Sequence, residues 1–310
     1  MFEKIIEKIE NASTIIIHRH SKPDGDALGS QIGLYELIKE NYPNKKIFKV
    51  GDEAGRYAFM EGSVMDIVAD EAYAKALAIV LDTSAKHLIS DERYATAKDT
   101  ARLDHHIFVE KICDGEVTDT SYESCCGLIT ELAIEAGWKF SSLAAKSLYT
   151  GMVTDSGRFR YDSTGANTHR LASKLMETPF ETNSIYLNLY QDDFKFIKLR
   201  AQFVLKIQFG KNGVAYIYTD KAEADSYGVD TFTISRGMVN TMGDIRGIHT
   251  WVNFTETEEG VLTEIRSNKY NINPIAVKYG GGGHQKASGA CLKNRDEAMM
   301  MLADLEALDD

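Results

Sequence analysis

Cysteine is scarce, with four in 310 residues. Cys113 and Cys291 stand alone and Cys125 and Cys126 are neighbours, so no Cys-x-x-Cys pair suggests a zinc knuckle or redox centre. Reduced, mostly structural thiols and a cytoplasmic location are expected. Long apolar runs are also missing. None approaches the roughly 20 residues that span a bilayer. The first ten residues mix charges with isoleucines at helical spacing, unlike the unbroken apolar stretch of a signal peptide. No membrane partner is expected. Basic runs are absent too, and the net charge is −11. Non-specific binding to long nucleic acid draws on basic surfaces that release counterions. Long double-stranded partners are therefore excluded, and any phosphate must be handled locally by metals and a few placed cations.

What remains is a chain that is 44% hydrophobic, enough for a packed core in one large or two ordinary domains. Strand-like runs at 14–19, 46–50, 77–82 and 100–104 alternate with helical stretches at 27–41, 122–137 and 142–153. That alternation predicts βαβ units and an α/β fold with a parallel sheet. Helical patterning dominates from about 167 to 208. Strands are then expected at 213–219, 247–255 and 260–266, the last two joined by a turn at Glu258-Glu259-Gly260. A final amphipathic helix is expected at 295–308. The expected division is a first domain at 1–190, a helical connector at 191–208 and a smaller α+β domain at 209–310. No Pro/Gly-rich linker marks the junction.

Potential metal ligands collect in the first half. The apolar run Thr14-Ile15-Ile16-Ile17 leads into His20-Ser21-Lys22-Pro23-Asp24-Gly25-Asp26. One histidine and two carboxylates thus emerge in a turn that Pro23 and Gly25 keep from continuing as a helix. Asp82 follows Leu77–Leu81, Asp104-His105-His106 follows Ala101-Arg102-Leu103, and Asp155 follows the apolar run 148–153. Taken singly, each carboxylate is equally a turn residue or helix cap. Together they fall after strand-like runs of one α/β domain, whose strand ends converge on one edge of a sheet. The set is too large for a single tetrahedral zinc. It suits two hard cations sharing a carboxylate, roughly 3.5–4 Å apart, the usual arrangement for phosphoryl hydrolysis. These residues alone leave open whether His105 or His106 is a ligand.

A second constellation lies near the C-terminus. Gly280-Gly281-Gly282-Gly283-His284 could let backbone N–H groups approach an anion, and Arg266-Ser267 ends a strand candidate. Neither a P-loop nor a dinucleotide fingerprint has this spacing.

In order and spacing these motifs resemble the DHH phosphoesterases. His20/Asp24/Asp26, Asp82, Asp104-His105-His106 and Asp155 match the metal motifs, and Gly-Gly-Gly-His resembles the DHH-associated C-terminal domain. The compact oligoribonuclease (nanoRNase)/pAp phosphatase group is the most similar branch. Its relatives differ: RecJ-type exonucleases usually open the first motif with Asp, and family II pyrophosphatases lack Gly-Gly-Gly-His. The resemblance implies a parallel-sheet DHH domain with a smaller α+β substrate-binding domain across a cleft, a homodimer, and two Mn2+, with Mg2+ or Co2+ as substitutes. It assigns His20, Asp24 and Asp82 to one ion, and Asp26, His105, Asp155 and again Asp82 to the other. Asp104, His106 and Asp82 would be catalytic, with His106 facing the phosphate and Asp104 orienting the histidines. Arg266, Ser267, Gly282, Gly283 and His284 would bind substrate. The implied reaction is hydrolysis of short RNA, dinucleotides or 3′-phosphoadenosine 5′-phosphate (pAp) through a bridging water. Alternatives are a cyclic di-AMP or linear dinucleotide phosphodiesterase, a pyrophosphatase or polyphosphatase, and an inactive nucleotide-binding regulator. Glu264 departs from the small polar residue common two positions before the arginine, and is expected to point away from the pocket.

Overall fold

The computed structural model describes residues 1–308. The chain forms two compact units, the first Met1–Gln191 and the second beginning at Asp192. In the first unit the order is α1 (Glu3–Asn11), β1 (Thr14–His18), α2 (Gly25–Asn41), β2 (Lys46–Lys49), the short α3 (Asp70–Tyr73), β3 (Leu77–Leu81), β4 (Asp99–Asp104), β5 (Gly115–Thr118), α4 (Cys125–Glu135), α5 (Ser142–Asp155), α6 (Ala166–Met176) and α7 (Thr182–Tyr190). The second contains α8 (Phe194–Lys206), β6 (Gln208–Phe209), β7 (Val214–Thr219), α9 (Lys221–Ser226), β8 (Thr250–Glu256), β9 (Val261–Ser267), α10 (Asn273–Lys278), β10 (Gly282–Gly283), β11 (Ala287–Leu292) and α11 (Arg295–Glu306). Among the described residues no helix is long and apolar enough to cross a membrane.

The first sheet has the order β2-β1-β3-β4-β5, and every pair is parallel. β1 and β3 are apolar along nearly their whole length because both faces are covered, and all of Ile15, Ile16, Ile17 and Leu77–Leu81 are buried. β2 leaves β1 on one side, whereas β3 follows on the other. The reversal opens a crevice at the C-terminal ends of β1 and β3, the place where open α/β sheets bind ligands. β5 went unrecognised in the sequence because its four residues, Gly-Glu-Val-Thr, carry one apolar side chain.

α2 and α5 pack unusually close. A Cβ on Gly29 of α2 would stand 2.6 Å from the Ser147 carbonyl oxygen of α5, and one on Gly151 of α5 would stand 3.0 Å from Asp26 Oδ1 of α2 and 2.2 Å from Cys126 Sγ of the neighbouring α4. Only glycine permits that approach at either position.

His18, at the end of β1, is fully buried, with the rings of Tyr73 and Tyr94 at 5.8 and 6.2 Å. Burial pulls its pKa down to about 4 from an ordinary 6.5, although Asp91 opposes this. The unfolded chain therefore binds a proton below pH 6.5 that the folded chain refuses until about pH 4. Stability is full above pH 6.5 and falls as the pH drops through this window, by about 3 kcal/mol in total. Urea unfolding at pH 7 and pH 4.5 should show a smaller pH-dependent loss for His18→Gln than for the parent chain. Equal losses would remove His18 from the acid sensitivity.

The second unit is built on a mixed six-stranded sheet, ordered β10-β11-β9-β8-β7-β6, in which only β7 and β8 pair in parallel. One face buries Val252, Phe254 and Ile265 with Ala276 of α10 and Met301 of α11. The other buries Ala215, Ile217 and Trp251 with Leu199 and Phe203 of α8. α8, expected within a connector, thus belongs to this unit's core. β11 was hidden in the sequence because Ala-Ser-Gly-Ala-Cys-Leu reads as the tail of the glycine run.

Candidate metal centre

Four separate segments bring the acidic and histidine residues to one edge of the first sheet. His20 and Asp24 lie past β1, and Asp24 caps α2 by accepting from the Asp26 and Ala27 amides at 3.0 and 2.9 Å. The capping and ligand readings of Asp24 are therefore compatible. Asp26, in the first turn of α2, is 1% exposed. Asp82 directly follows β3, and Asp104 ends β4 just before His105 and His106. Asp155 is the last residue of helix α5, in keeping with the helical stretch expected at 142–153 but not with its grouping among strand ends. The apolar run 148–153 is a buried helix, which hydrophobicity alone does not distinguish from a buried strand. The close α2–α5 contact carries Asp155 to the others.

Three groups of donors result: His20, Asp24 and Asp82; Asp82, His105 and His106; and Asp26, His105 and Asp155. Within each, the donor atoms lie within 4.8 Å of one another. Asp82 and His105 each belong to two groups. Asp82 Oδ2 is 3.5 Å from His20 Nε2, and its Oδ1 is 3.5 Å from His105 Nε2. His105 Nε2 is also 3.6 Å from Asp155 Oδ2 and 3.8 Å from Asp26 Oδ2. These gaps exceed the roughly 2.7–2.9 Å of a charge-assisted hydrogen bond. They suit atoms that share a cation. Asp82 Oδ1 is moreover buried without a hydrogen-bond partner, and a carboxylate oxygen in that state normally has a purpose. Four carboxylates with three imidazoles form an oxygen-rich donor set of the kind that manganese- or magnesium-type ions take. The residues fit such a group.

The electrostatics agree. Burial and repulsion from Asp82 and Asp155 push Asp26 well above the usual carboxylate range. Burial, with Asp82 and Asp24 nearby, raises Asp155 to about 7. Burial would depress His20, but Asp24 and Asp82 outweigh it and hold it at about 11. His105 likewise resists burial and rises to about 10 beside Asp82, Asp26 and Asp155. Without cations the cluster thus retains protons to offset its own negative charge. Asp82, between two histidines that overcome its burial, stays well below the ordinary range.

Apart from Asp104 beside a histidine, the supporting contacts have no counterpart in the sequence reading. The amides of Cys125 and Cys126, at the N-terminus of α4, donate to Asp26 Oδ2 and Oδ1 at 2.7 and 2.9 Å. Asp26 thus neutralises a helix N-terminus as well as facing the cluster. The Ser124 cap was the sequence signal for that end. Fully buried Arg102 donates to Asp104 Oδ2 at 2.6 Å, and His106 Nδ1 donates to Asp104 Oδ1 at 2.8 Å. Asp104 is therefore held low despite its burial, and its hydrogen bond raises His106. His20 Nδ1 donates to the Ser21 carbonyl at 2.8 Å, which leaves Nε2 toward the carboxylates. Backbone strain gathers here too. Asp82 has φ +49°, and Gly157, Arg158 and Phe159, just after Asp155, have φ of +57°, +65° and +62°.

The second unit changes the reading of its motif. The amides of Gly280, Gly281 and His284 donate to the carbonyls of Val277, Ala276 and Ala287 at 3.0, 2.8 and 2.7 Å. They do not form an open anion nest. Glycine is needed for close packing, because a Cβ on Gly281 would stand 2.1 Å from the Gly289 carbonyl oxygen. Gly282 and Gly283 pair with Gly289 and Ser288 in a narrow hairpin that leaves His284 exposed at its tip. Ser267, expected to face substrate, is 4% exposed. Its hydroxyl donates to the His249 carbonyl and accepts from the Lys269 and Tyr270 amides, closing the turn after β9. Arg266 is engaged by Glu264 at 3.0 Å, so Glu264 lies against the arginine rather than away from it.

Comparison with known proteins agrees with this architecture. Residues 14–152 match the DHH family, N-terminal domain, and residues 224–308 match the DHHA1 domain. The chain is 37% identical over 311 residues to the bifunctional oligoribonuclease and PAP phosphatase NrnA of Bacillus subtilis, covering 99% of this chain and 98% of that protein. It is 35% identical to the probable bifunctional oligoribonuclease and PAP phosphatase NrnA of Streptococcus mutans, covering 93% of each. A crystal structure of an exopolyphosphatase-related protein from Bacteroides fragilis superposes with a TM-score of 0.85 at 25% identity, over 98% of this chain and 94% of that one. The chain belongs to the DHH family of phosphoesterases, with a DHH domain followed by a DHHA1 domain.

Proposed function

We propose that this hydrolase cleaves the phosphodiester bonds of short oligoribonucleotides and dinucleotides and the phosphomonoester of pAp, with two Mn2+ ions in the candidate centre. The observation that carries the reading is the set of three donor groups joined through Asp82 and His105. Full-length relatives named as oligoribonuclease and PAP phosphatase support the substrate class. His20, Asp24 and Asp82 would hold one ion, and Asp26, His105 and Asp155, with Asp82 shared, the other. When bound, two such ions supply Lewis acidity toward the phosphate and lower the pKa of a water molecule.

The chain's own residues do the rest. Asp82 and His105 tie the two halves of the centre together. The α4 amides orient Asp26, and Arg102 fixes Asp104. Asp104 occupies His106 Nδ1, which leaves Nε2 to contact the phosphate and hand a proton to the leaving ribose oxygen. The exposed His284 contributes to holding the far end of the substrate. Ser267 supports the turn beside it.

One substrate panel with manganese tests the reading: pAp, a diribonucleotide, a five-residue RNA, linear and cyclic di-AMP, and pyrophosphate. The first three and linear di-AMP, itself a dinucleotide, should turn over, and a long RNA added to the panel should not. Turnover of pyrophosphate alone would sink the proposal. A His284→Ala variant should raise KM roughly tenfold, the worth of one charge-assisted hydrogen bond, with kcat within about twofold. An unchanged KM for every substrate would remove His284 from binding.

A further inference from the structure

A cavity of about 280 Å3 lies wholly within the second unit, with Phe232, Ser235, Arg236, Leu262, Glu264 and Gly289 among its lining residues. That is at or below the small end of ligand pockets, which run roughly 300–1,000 Å3, and suits one planar ring system better than a whole dinucleotide. Strand alternation puts Leu262, Glu264 and Arg266 on one face of β9, and Glu264 pairs across the sheet with Gly289. A Cβ on Gly289 would stand 3.7 Å from Glu264 Cδ and Oε1, so the glycine leaves this carboxylate uncovered. Arg266 holds Oε2 at 3.0 Å. Oε1 accepts no hydrogen bond among the described residues. The lining also includes an aromatic platform. Phe232 is 64% exposed, and the Arg236 guanidinium lies 5.6 Å from its ring centroid.

The wall is locally unusual. Thr233–Gly237 is a single π-helical turn, a form that recurs at functional sites. Buried Asn253, the cross-strand neighbour of Glu264, holds that turn by donating to the Ile234 and Ser235 carbonyls at 2.7 and 2.8 Å. Its own Oδ1 is buried without a partner.

An inward carboxylate repels phosphate, so the cavity is not an anion site. A flat exposed aromatic beside a guanidinium is a stacking surface for a base. A carboxylate with a free oxygen accepts from N–H groups on a base edge. Guanine presents two adjacent donors there, N1–H and the 2-amino group. Adenine and cytosine present one beside an acceptor, and uracil one between two carbonyls. We infer that this cavity is a nucleobase pocket in which Phe232 and Arg236 stack the ring and Glu264 selects guanine. The inference rests on the nucleotide reading above and names the base that reading leaves open. Glu264 is then a specificity residue, which explains an acid where a small polar side chain is common.

Calorimetric titration of the full-length protein with GMP, AMP, CMP and UMP, in EDTA, tests the pocket without requiring turnover. GMP should bind at least about tenfold more tightly than the other three, the low end of the discrimination that a good base-edge contact gives. Glu264→Gln should bring GMP to within about threefold of AMP. Phe232→Ala, at an exposed position, should weaken all four alike. Equal affinities in the parent chain, or a guanine preference that survives Glu264→Gln, would overturn the inference. A guanine preference without hydrolysis of any dinucleotide would retain the pocket and reject the proposed reaction. Hydrolysis without base preference would do the reverse.

Discussion

Replacing Asp82 with Asn should reduce manganese-dependent turnover of pAp and of a diribonucleotide by at least about 10³-fold. Loss of a residue that merely supports a metal ligand usually costs roughly 10–100-fold. Asp82 should exceed that, because its two oxygens face His20 and His105 separately, at 3.5 Å each. No other carboxylate is shared between two of the donor groups. Asparagine is the informative substitute. Its volume is nearly unchanged, and it tolerates the left-handed backbone at φ +49°. Asp82→Ala should be equally inactive, but it also places a side chain less suited to that conformation. Thermal unfolding of metal-free Asp82→Asn should remain cooperative, and bound manganese measured after gel filtration should fall. Parent-level turnover in a folded Asp82→Asn chain would refute the metal assignment.

The second large effect is expected from one added methyl group. Gly151→Ala would place a Cβ 2.2 Å from Cys126 Sγ and 3.0 Å from Asp26 Oδ1. In an exposed helix the same change would stabilise by roughly 0.5–1 kcal/mol. Here the overlap falls between buried helices that cannot yield without moving Asp26 or Asp155. A net loss of about 1–3 kcal/mol is expected from overpacking, together with weakened metal binding. Adding Cys126→Ala removes the nearest obstructing atom. It should recover most of the stability, a coupling that a double-mutant cycle reads directly. Stability and metal content equal to those of the parent would show that α5 separates easily from α4 and α2, and that this close packing does not position the centre.

The two effects differ in how far they could be foreseen. Asp82 stands out in the sequence because a carboxylate ends an apolar run in an alternating α/β pattern. Gly151 carries no such signal. Its meaning comes from Cys126, twenty-five residues earlier in the chain, and from Asp26 beyond that. The same holds for the Cys125 and Cys126 amides, which serve the Asp26 carboxylate through their backbone, while the Cys126 thiol reaches only the Asp26 main-chain carbonyl, at 3.6 Å. Asp155 falls between these cases. It was identified as a candidate, but its run is a helix, and only packing against α2 brings it to the strand ends. The glycine run was visible as well, but its purpose was misjudged. Its amides are taken up by the end of α10 and by a hairpin, and its glycines serve backbone contact.

The sequence by itself therefore determined the parallel sheet of the first unit, the main strands of the second and the residue types of the candidate metal centre. These depend on local periodicity and on side-chain chemistry, both of which are written residue by residue. Tertiary structure alone decided which donors meet, that Asp82 and His105 link the groups, that Asp26 is held by a helix N-terminus, and that Glu264 and Phe232 line one cavity. Those facts depend on register between strands and on how closely helices approach. Such distances are set by contacts among residues far apart in the chain, so no local pattern encodes them.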